Sequence, residues 1–329
     1  MPQTRKYFIQ GLVCAAAGAV AFSGKAIVAK LIYRLGGDAI AVVGMRMAMA
    51  LPLFLFMAWW AGRTAGSANS EPLTNRTRWQ IVGLGVTGYY LASTLDFLGL
   101  QYISASLERA ILYLNPTMVL ILSALWFGRP IRRIQLASMG LAYGGVAVVW
   151  LHDWNAASLV AGQASTSPEH HAMSTIMVGS VLVLLSALSY SIYLMGSGSM
   201  VQKHGSLWLV GWASSVACVL CLLQWVVVYG VTHGRLGGFE HLPWQAWGLS
   251  AINAVFCTAL PVWLVMRGVQ LLGATVAAQV GMVGPLSTIW MAAWTLNEPI
   301  TPRLLLGTGA ILGGILLLTR SQTPQAARA

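Results

Sequence analysis

This sequence contains very little charge. Only 8% of its 329 residues are Asp, Glu, Lys or Arg, whereas roughly a quarter is usual in soluble domains. So few charges cannot cover the surface of a soluble globule of this size, and 57% of the residues are hydrophobic. The composition therefore excludes a soluble domain and predicts an integral membrane protein whose solvent is the lipid bilayer.

Acidic residues are scarcer than basic ones, with 8 Asp and Glu against 19 Lys and Arg and a net charge of +11. In a soluble chain this excess would suggest a nucleic-acid partner. A membrane protein accumulates Lys and Arg in its cytoplasmic loops instead. We therefore expect no nucleic-acid partner.

Cysteine and metal-ligating patterns are also sparse. The four cysteines lie in apolar runs, and Cys218 and Cys221 have no second pair that would favour a metal or redox site. The run Glu-His-His at 169–171 offers three consecutive loop residues, which is a poor coordination geometry. The sequence also lacks the phosphate-binding loop of a self-contained ATP-driven pump. We expect neither a metal nor a cofactor.

Long apolar runs, in contrast, are abundant. A spanning helix needs about 20 mostly apolar residues. Ten segments fit this pattern: 8–32, 39–61, 79–101, 105–127, 134–151, 175–196, 207–230, 246–268, 273–296 and 303–319. The first is too long for the core of a signal peptide. The expected fold is an all-α integral membrane protein with ten transmembrane helices.

The ten segments form two similar halves. A shift of 169 residues places Gln101 on Gln270, Pro116 on Pro285, Pro130-Ile131 on Pro299-Ile300 and Gly144-Gly145 on Gly313-Gly314. Because each half has five helices, the second copy is upside down, an inverted repeat that is characteristic of transporters. We expect a first repeat at 8–151, a connecting loop at 152–174 and a second repeat at 175–319.

The distribution of Lys and Arg predicts the orientation. With the N-terminus inside, twelve Lys and Arg lie in inside segments and four lie in outside segments, namely Lys30, Arg34, Arg235 and Arg303. Basic residues favour the cytoplasmic side. Both termini are therefore expected in the cytoplasm, and the 152–174 loop outside.

Three stretches resemble a known family: "GMRMAMALPLFL" in the second helix, "LQYISASLERAILYLNPTMVLILSALWFGRPIRRIQLASMGLAYGGVAVV" across the fourth and fifth, and "GATVAAQVGMVGPLSTIWMAAWTLNEPITPRLLLGTGAILGGILLL" across the last two. They are similar to EamA-type transporters of the drug/metabolite transporter superfamily. The resemblance implies a bacterial inner-membrane carrier that exports amino acids or other small metabolites. One departure is visible: Glu298 matches the acid common after the ninth helix, but Arg129 replaces its counterpart after the fourth.

Ionisable residues inside the bilayer are costly and are functional candidates. Apart from Lys30, Arg267 and Arg303, which lie within two residues of a span end, five lie in the predicted spans, all in the first half: Lys25, Arg46, Asp96, Glu108 and Arg109. Counting residues from the helix ends places them in one layer within the outer leaflet. They are interpreted as a structural ion-pair network, as proton or substrate groups, or as side chains that snorkel to the interface. Because adjacent helical residues point about 100° apart, we expect Glu108 and Arg109 each to pair with a charge on another helix.

Other polar side chains complete the candidate pathway. Tyr89 lies on a polar stripe of the third helix, Tyr190 and Tyr193 lie on one of the sixth, and Trp263 lies on a face of the eighth. Such stripes either line a pathway or join helices by hydrogen bonds. Tyr113 and Gln279 are further candidates, and Pro116 and Pro285 are expected to kink the fourth and ninth helices.

These patterns favour a secondary transporter that binds a small molecule between its halves and works by alternating access. The expected cavity is lined by the first, third, fourth, sixth, eighth and ninth helices. If transport is coupled to protons, Asp96 and Glu108 are the acids that would carry them. The alternatives are a channel or an intramembrane enzyme such as a rhomboid-like serine protease, although all six histidines fall in loops or at helix ends. Substrate identity and oligomeric state stay open.

Overall fold

The protein is described by a computed structural model that covers residues 2–64, 74–128, 130–162, 169–233, 242–272, 280 and 283–326. Within these ranges the chain is helical and has no strand. Seven helices are continuous: α1 Pro2–Arg34, α2 Ala39–Thr64, α5 Arg133–Gly162, α6 Glu169–His204, α7 Ser206–His233, α9 Val283–Leu296 and α10 Pro302–Ala326. Three are built from segments: α3 from Asn75–Gly85, Val86–Leu91 and Ala92–Leu100, α4 from Ala105–Leu112 and Asn115–Phe127, and α8 from Trp244–Ala254, Val255–Ala259 and Leu260–Leu272.

Eight helices in the described ranges are long and apolar enough to cross a membrane, and Pro302–Leu317 is a shorter apolar helix. Many large apolar side chains point outward, for example Leu306 and Trp294. A soluble protein would bury most of these side chains, whereas lipid accepts them. The chain is thus a multi-pass integral membrane protein of the expected all-α, ten-helix class.

The connection between the halves differs from the expected loop. A loop was predicted over 152–174, but α5 continues to Gly162 and α6 begins at Glu169. The apolar run ends where the bilayer ends, whereas backbone hydrogen bonding can continue a helix into water. Hydropathy therefore indicated only the membrane-embedded part of each helix.

Short polar residues define several helix starts. Side-chain oxygens of Asp38, Thr74, Ser104 and Thr301 accept hydrogen bonds from the backbone N–H groups of Ala41, Thr77, Leu107 and Leu304 respectively. These N–H groups have no partner inside the helix. Between α1 and α2 the chain reverses through Gly36, whose φ of 92° strongly favours glycine.

The helices pack with the two-fold pattern expected of a repeat. α1 packs against α8 and α9, and its counterpart α6 packs against α3 and α4. The pairs α2 with α7 and α5 with α10 also make extensive contacts, and each pair maps onto itself when the halves are exchanged. Five helices per half invert the second copy, so the fold consists of two inverted five-helix repeats.

The contact between α5 and α10 shows this symmetry at atomic detail. A Cβ atom on Gly145 would lie 2.5 Å from the carbonyl oxygen of Gly307 and 2.8 Å from Ile311, and one on Gly314 would lie 2.6 Å from the carbonyl oxygen of Ser138 and 2.9 Å from the nitrogen of Ala142. The 169-residue shift converts the first set of residues into the second. Glycine is required here because the two backbones touch.

The same shift relates two irregular turns. Residues Val86–Leu91 of α3 and Val255–Ala259 of α8 are π-helical. Wide turns of this kind are frequent at functional sites. Nothing in the apolar pattern of the sequence predicted them.

Replacing Gly145 by Ala should destabilise the protein by about 1–3 kcal/mol, because the new methyl group would collide with backbone on α10. Unfolding of the purified protein in detergent would measure this loss. Gly144→Ala is the matched control, since a Cβ on Gly144 meets no atom within 4 Å. Equal stability of both variants would contradict the close contact.

Candidate functional site

A cavity of about 360 Å³ lies between the two repeats, within the usual range for small-molecule sites of roughly 300–1,000 Å³. Eight of the predicted site residues line it: Lys25, Arg46, Tyr89, Asp96, Arg109, Tyr113, Pro116 and Tyr190. The described lining comes from α1 to α4 and from α6 to α8. The predicted set omitted α2 and α7, which also contribute. The contribution expected from the ninth predicted span, 273–296, stays a prediction, because 273–279 lie outside the described residues. α2 and α7 reach the cavity because they pack against each other across the repeat interface.

Lys25 on α1 connects two carboxylates on other helices. Its ammonium group forms an ion pair and hydrogen bond with Asp96 of α3. It also lies 3.9 Å from an oxygen of Glu108 on α4, whose side chain is fully buried. Burying a carboxylate is costly unless a cation and hydrogen bonds compensate it. This bridge therefore ties α1, α3 and α4 together around the cavity.

Arg109, unlike Glu108, has no described charged partner on another helix. The Nε atom of Arg109 lies 3.6 Å from Glu108, and its Nη2 donates to the carbonyl oxygen of Phe22 on α1 at 3.1 Å. Both side chains thus reach the same helix, and the only described ion-pair partner of Arg109 is its own neighbour. The expectation of a charged partner on another helix holds for Glu108, which meets Lys25 of α1. It was wrong for Arg109, because the long guanidinium side chain folds back across the angle between adjacent residues.

Arg46 is buried and forms fewer described polar contacts than Lys25 or Arg109. Its Nη1 lies 3.4 Å from the hydroxyl oxygen of Thr258 on α8, and its guanidinium carbon lies 4.5 Å from the ring centre of Phe97. No described carboxylate forms an ion pair with Arg46. Nε and Nη2 are buried and have no hydrogen-bond partner among the described residues.

Three tyrosines on α3 and α6 pack together at the cavity. The Tyr89 ring lies 6.4 Å from Tyr190 and 5.4 Å from Tyr193, edge to face in both cases. Tyr190 lines the cavity, whereas Tyr193 packs behind Tyr89 and against Gly88. The α6 stripe therefore lines the cavity and supports its wall.

Serines on the same stripe join α6 to the irregular turn of α3. Ser189 donates to the carbonyl oxygen of Thr87 at 2.7 Å, and Ser186 donates to that of Ala92 at 2.7 Å. In α8 the hydroxyl of Thr258 donates to the carbonyl oxygen of Asn253 at 2.8 Å. A π-helical turn leaves some backbone carbonyl oxygens without the N–H donor of a regular α-helix. These hydroxyl groups donate hydrogen bonds to such carbonyls instead.

α4 is interrupted at Tyr113 and Leu114, immediately before Pro116. Pro116 occupies the start of the second segment, where its missing N–H is tolerated. The equivalent kink at Pro285 stays a prediction, since the chain just before α9 is outside the described ranges. Gln279 also lies outside the described residues.

Trp263 does not line the central cavity among the described residues. Its side chain is 44% exposed, which is the environment of a lipid-facing residue on α8. A helical face defined by spacing alone does not reveal whether it points inward, because polar and aromatic residues also occur at membrane interfaces.

A second cavity of about 410 Å³, lined by Lys30, Asp153 and Glu298 among others, lies at the start of α4. Glu298, in the α9–α10 connection, accepts hydrogen bonds from the N–H of Ala105 at 3.1 Å and the hydroxyl of Ser106 at 2.9 Å. Asp153 accepts one from the N–H of Ser104 at 3.1 Å. Sequence reasoning identified Glu298 by resemblance but missed Asp153, which follows an apolar run without any distinctive pattern.

The intramembrane-enzyme alternative finds little support in the central cavity. No histidine is among its described lining residues. His152 lies 3.6 Å from Asp153 beside the second cavity, and His204 stacks on Trp208 at the end of α6. A serine nucleophile in the central cavity would therefore lack a histidine base among the described lining residues.

An inverted five-helix repeat that encloses a charged cavity defines a class of multi-pass membrane transport proteins. A family model of EamA-like transporters matches residues 9–151 and 177–320. The chain belongs to the EamA-like transporter family.

Two Bacillus subtilis (strain 168) proteins are similar. "Uncharacterized transporter YcbK" is 28% identical over 301 residues, covering 89% of this chain and 88% of that protein. "Uncharacterized transporter YvbV" is 28% identical over 255 residues, covering 74% of this chain and 72% of that protein. A solved crystal structure, 14% identical, covers 94% of this chain and 95% of its own with a TM-score of 0.58; this likeness concerns the fold alone.

Replacing Lys25 by Met should destabilise the protein by about 3–5 kcal/mol, because two buried carboxylates lose the cation they share. Unfolding in detergent would measure the loss. The double variant Lys25→Met, Asp96→Asn removes one of these charges as well and should recover part of the stability. If Lys25→Met were as stable as the parent protein, the bridge would not constrain the fold.

Proposed function

We propose that the chain is a secondary carrier of the bacterial inner membrane that exports small metabolites, such as amino acids or related compounds. The observation that carries this proposal is the charged cavity enclosed between the two repeats. Substrate would bind there, and rocking of one repeat against the other would open the cavity to each side in turn. The repeat symmetry of the helix contacts supports this motion, because related packing arrangements are available at both ends.

We infer that both termini lie in the cytoplasm, with 8–151 and 175–319 as the two moving units. The basis for this is the excess of Lys and Arg in the segments assigned to the inside. In that orientation the second cavity and the start of α4 lie at the outer end of the protein.

Contacts between the repeats at this end support a closed outer gate. Besides the Glu298 hydrogen bonds, Arg34 donates to the carbonyl oxygen of Leu296 at 2.6 Å, and Tyr229 donates to Asp38 at 2.6 Å. Each contact joins a residue of the first half to one of the second. In the proposed cycle these bonds break when substrate is released outside.

A proton-coupled cycle would use the two carboxylates that share Lys25. Protonation of Asp96 or Glu108 would weaken the bridge and so alter how α3 and α4 pack against α1. Uniport or exchange would need neither carboxylate to change its charge.

Alternating access can be tested at the outer gate. In a protein whose native cysteines are replaced by Ala, Ser93→Cys reports on the central cavity, which Ser93 lines. Glu298→Ala removes two hydrogen bonds to a charged acceptor. It should therefore raise the equilibrium ratio of open to closed outer gate roughly tenfold or more. Labelling by a membrane-impermeant thiol reagent from the outer side should therefore accelerate.

Thr295→Ala is the control, because the exposed Thr295 hydroxyl donates to a carbonyl of its own helix and to no other described residue. It should label like the parent protein. Unchanged labelling in Glu298→Ala would contradict the gate, and acceleration only in inside-out vesicles would reverse the proposed orientation.

A further inference from the structure

Four charged side chains line the central cavity, and the buried Glu108 lies against two of them. The five-charge cluster, defined as Lys25, Arg46, Asp96, Glu108 and Arg109, contains three cations and two carboxylates. Lys25 interacts with both carboxylates, and Arg109 interacts with Glu108 and a backbone carbonyl. Both carboxylates are therefore engaged by other cations, and one positive charge is left without a described counterion.

That charge is on Arg46. The residue is 2% exposed and lines the cavity, and two of its three guanidinium nitrogens have no acceptor among the described residues. Its single described hydrogen bond, to Thr258, is long at 3.4 Å. Leaving buried, charged donors without acceptors is costly. An acceptor that enters the cavity would remove this cost.

We propose that Arg46 binds the carboxylate of a monoanionic substrate with an apolar or aromatic body. This inference rests on the proposed function of the cavity as the substrate site. A guanidinium group presents a planar fork of donors that matches a carboxylate, and one negative charge would balance the cluster. Phe22, Phe54 and Leu112 line the same cavity and offer apolar surface to the rest of the molecule.

A zwitterionic amino acid is the other source of such a carboxylate. Its ammonium group would need an acceptor, and Oδ1 of Asp96 has no described donor. However, Lys25 already pairs with Asp96, so the ammonium group would approach a like charge. The geometry therefore favours a net anion over the zwitterion.

Binding to the full-length protein in detergent can separate these ligands. The probes share a phenyl body and differ in charge: 3-phenylpropionate is an anion, 3-phenylpropionamide is neutral, phenylalanine is a zwitterion and phenethylamine is a cation. Hexanoate and hexanamide provide an aliphatic pair. Ligand-induced thermal stabilisation, measured over a concentration series, gives an apparent Kd for each probe.

The acids should bind at least about tenfold more tightly than their amides, and Arg46→Gln should weaken the acids roughly ten- to hundredfold without weakening the amides. Arg46→Lys keeps the charge but loses the planar fork of donors. Its affinity for the acids should lie between that of the parent protein and that of Arg46→Gln. Arg63→Gln is the matched control, because Arg63 lies on the same helix but is exposed and stacks on Trp59. It should bind like the parent protein.

Equal binding of acids and amides by the parent protein would overturn the proposal, even if Arg46→Gln did not fold. Tighter binding of phenylalanine than of 3-phenylpropionate would assign the site to zwitterions, and tighter binding of phenethylamine would assign it to cations. A lack of response to every acid would also overturn it. None of these results would affect the carrier proposal, because that proposal is tested separately by the labelling of Ser93→Cys.

Discussion

A charge inside a lipid-solvated bundle must find its partner within the protein, and Lys25 meets this requirement for two carboxylates at once. Lipid offers no hydrogen bonds and little dielectric screening, so Asp96 and Glu108 depend on cations from neighbouring helices. The bridge joins α1, α3 and α4 where they surround the central cavity. The charges that make the central cavity polar therefore also hold the surrounding helices together.

The scaffold is symmetric, but the chemistry is not. The two halves repeat helix contacts, irregular turns and the glycine contact between α5 and α10. The five-charge cluster, in contrast, comes entirely from the first half, and the second half contributes hydroxyl groups such as that of Thr258. In the proposed alternating-access cycle, symmetric packing makes similar contacts available at both ends, whereas the asymmetric charge cluster offers the substrate a single orientation.

The end of the bundle at the second cavity shows a similar asymmetry. Glu298 caps the start of α4 across the repeat interface, so a carboxylate of one half satisfies backbone donors of the other. The repeat-related position is Arg129, which cannot accept hydrogen bonds from a helix start. Equivalent contacts therefore cannot form at these positions of the two ends.

The sequence by itself determined the membrane class, the number of helices and the repeat, because hydropathy and the spacing of Pro and Gly are local properties of the chain. It also identified every member of the five-charge cluster, since ionisable residues are conspicuous in apolar runs. Only the tertiary structure decided which charges meet. It placed Arg109 beside Glu108, left Arg46 without a described counterion and turned Trp263 away from the cavity. These outcomes depend on helix rotation and side-chain reach between segments distant in sequence, and no local pattern specifies either.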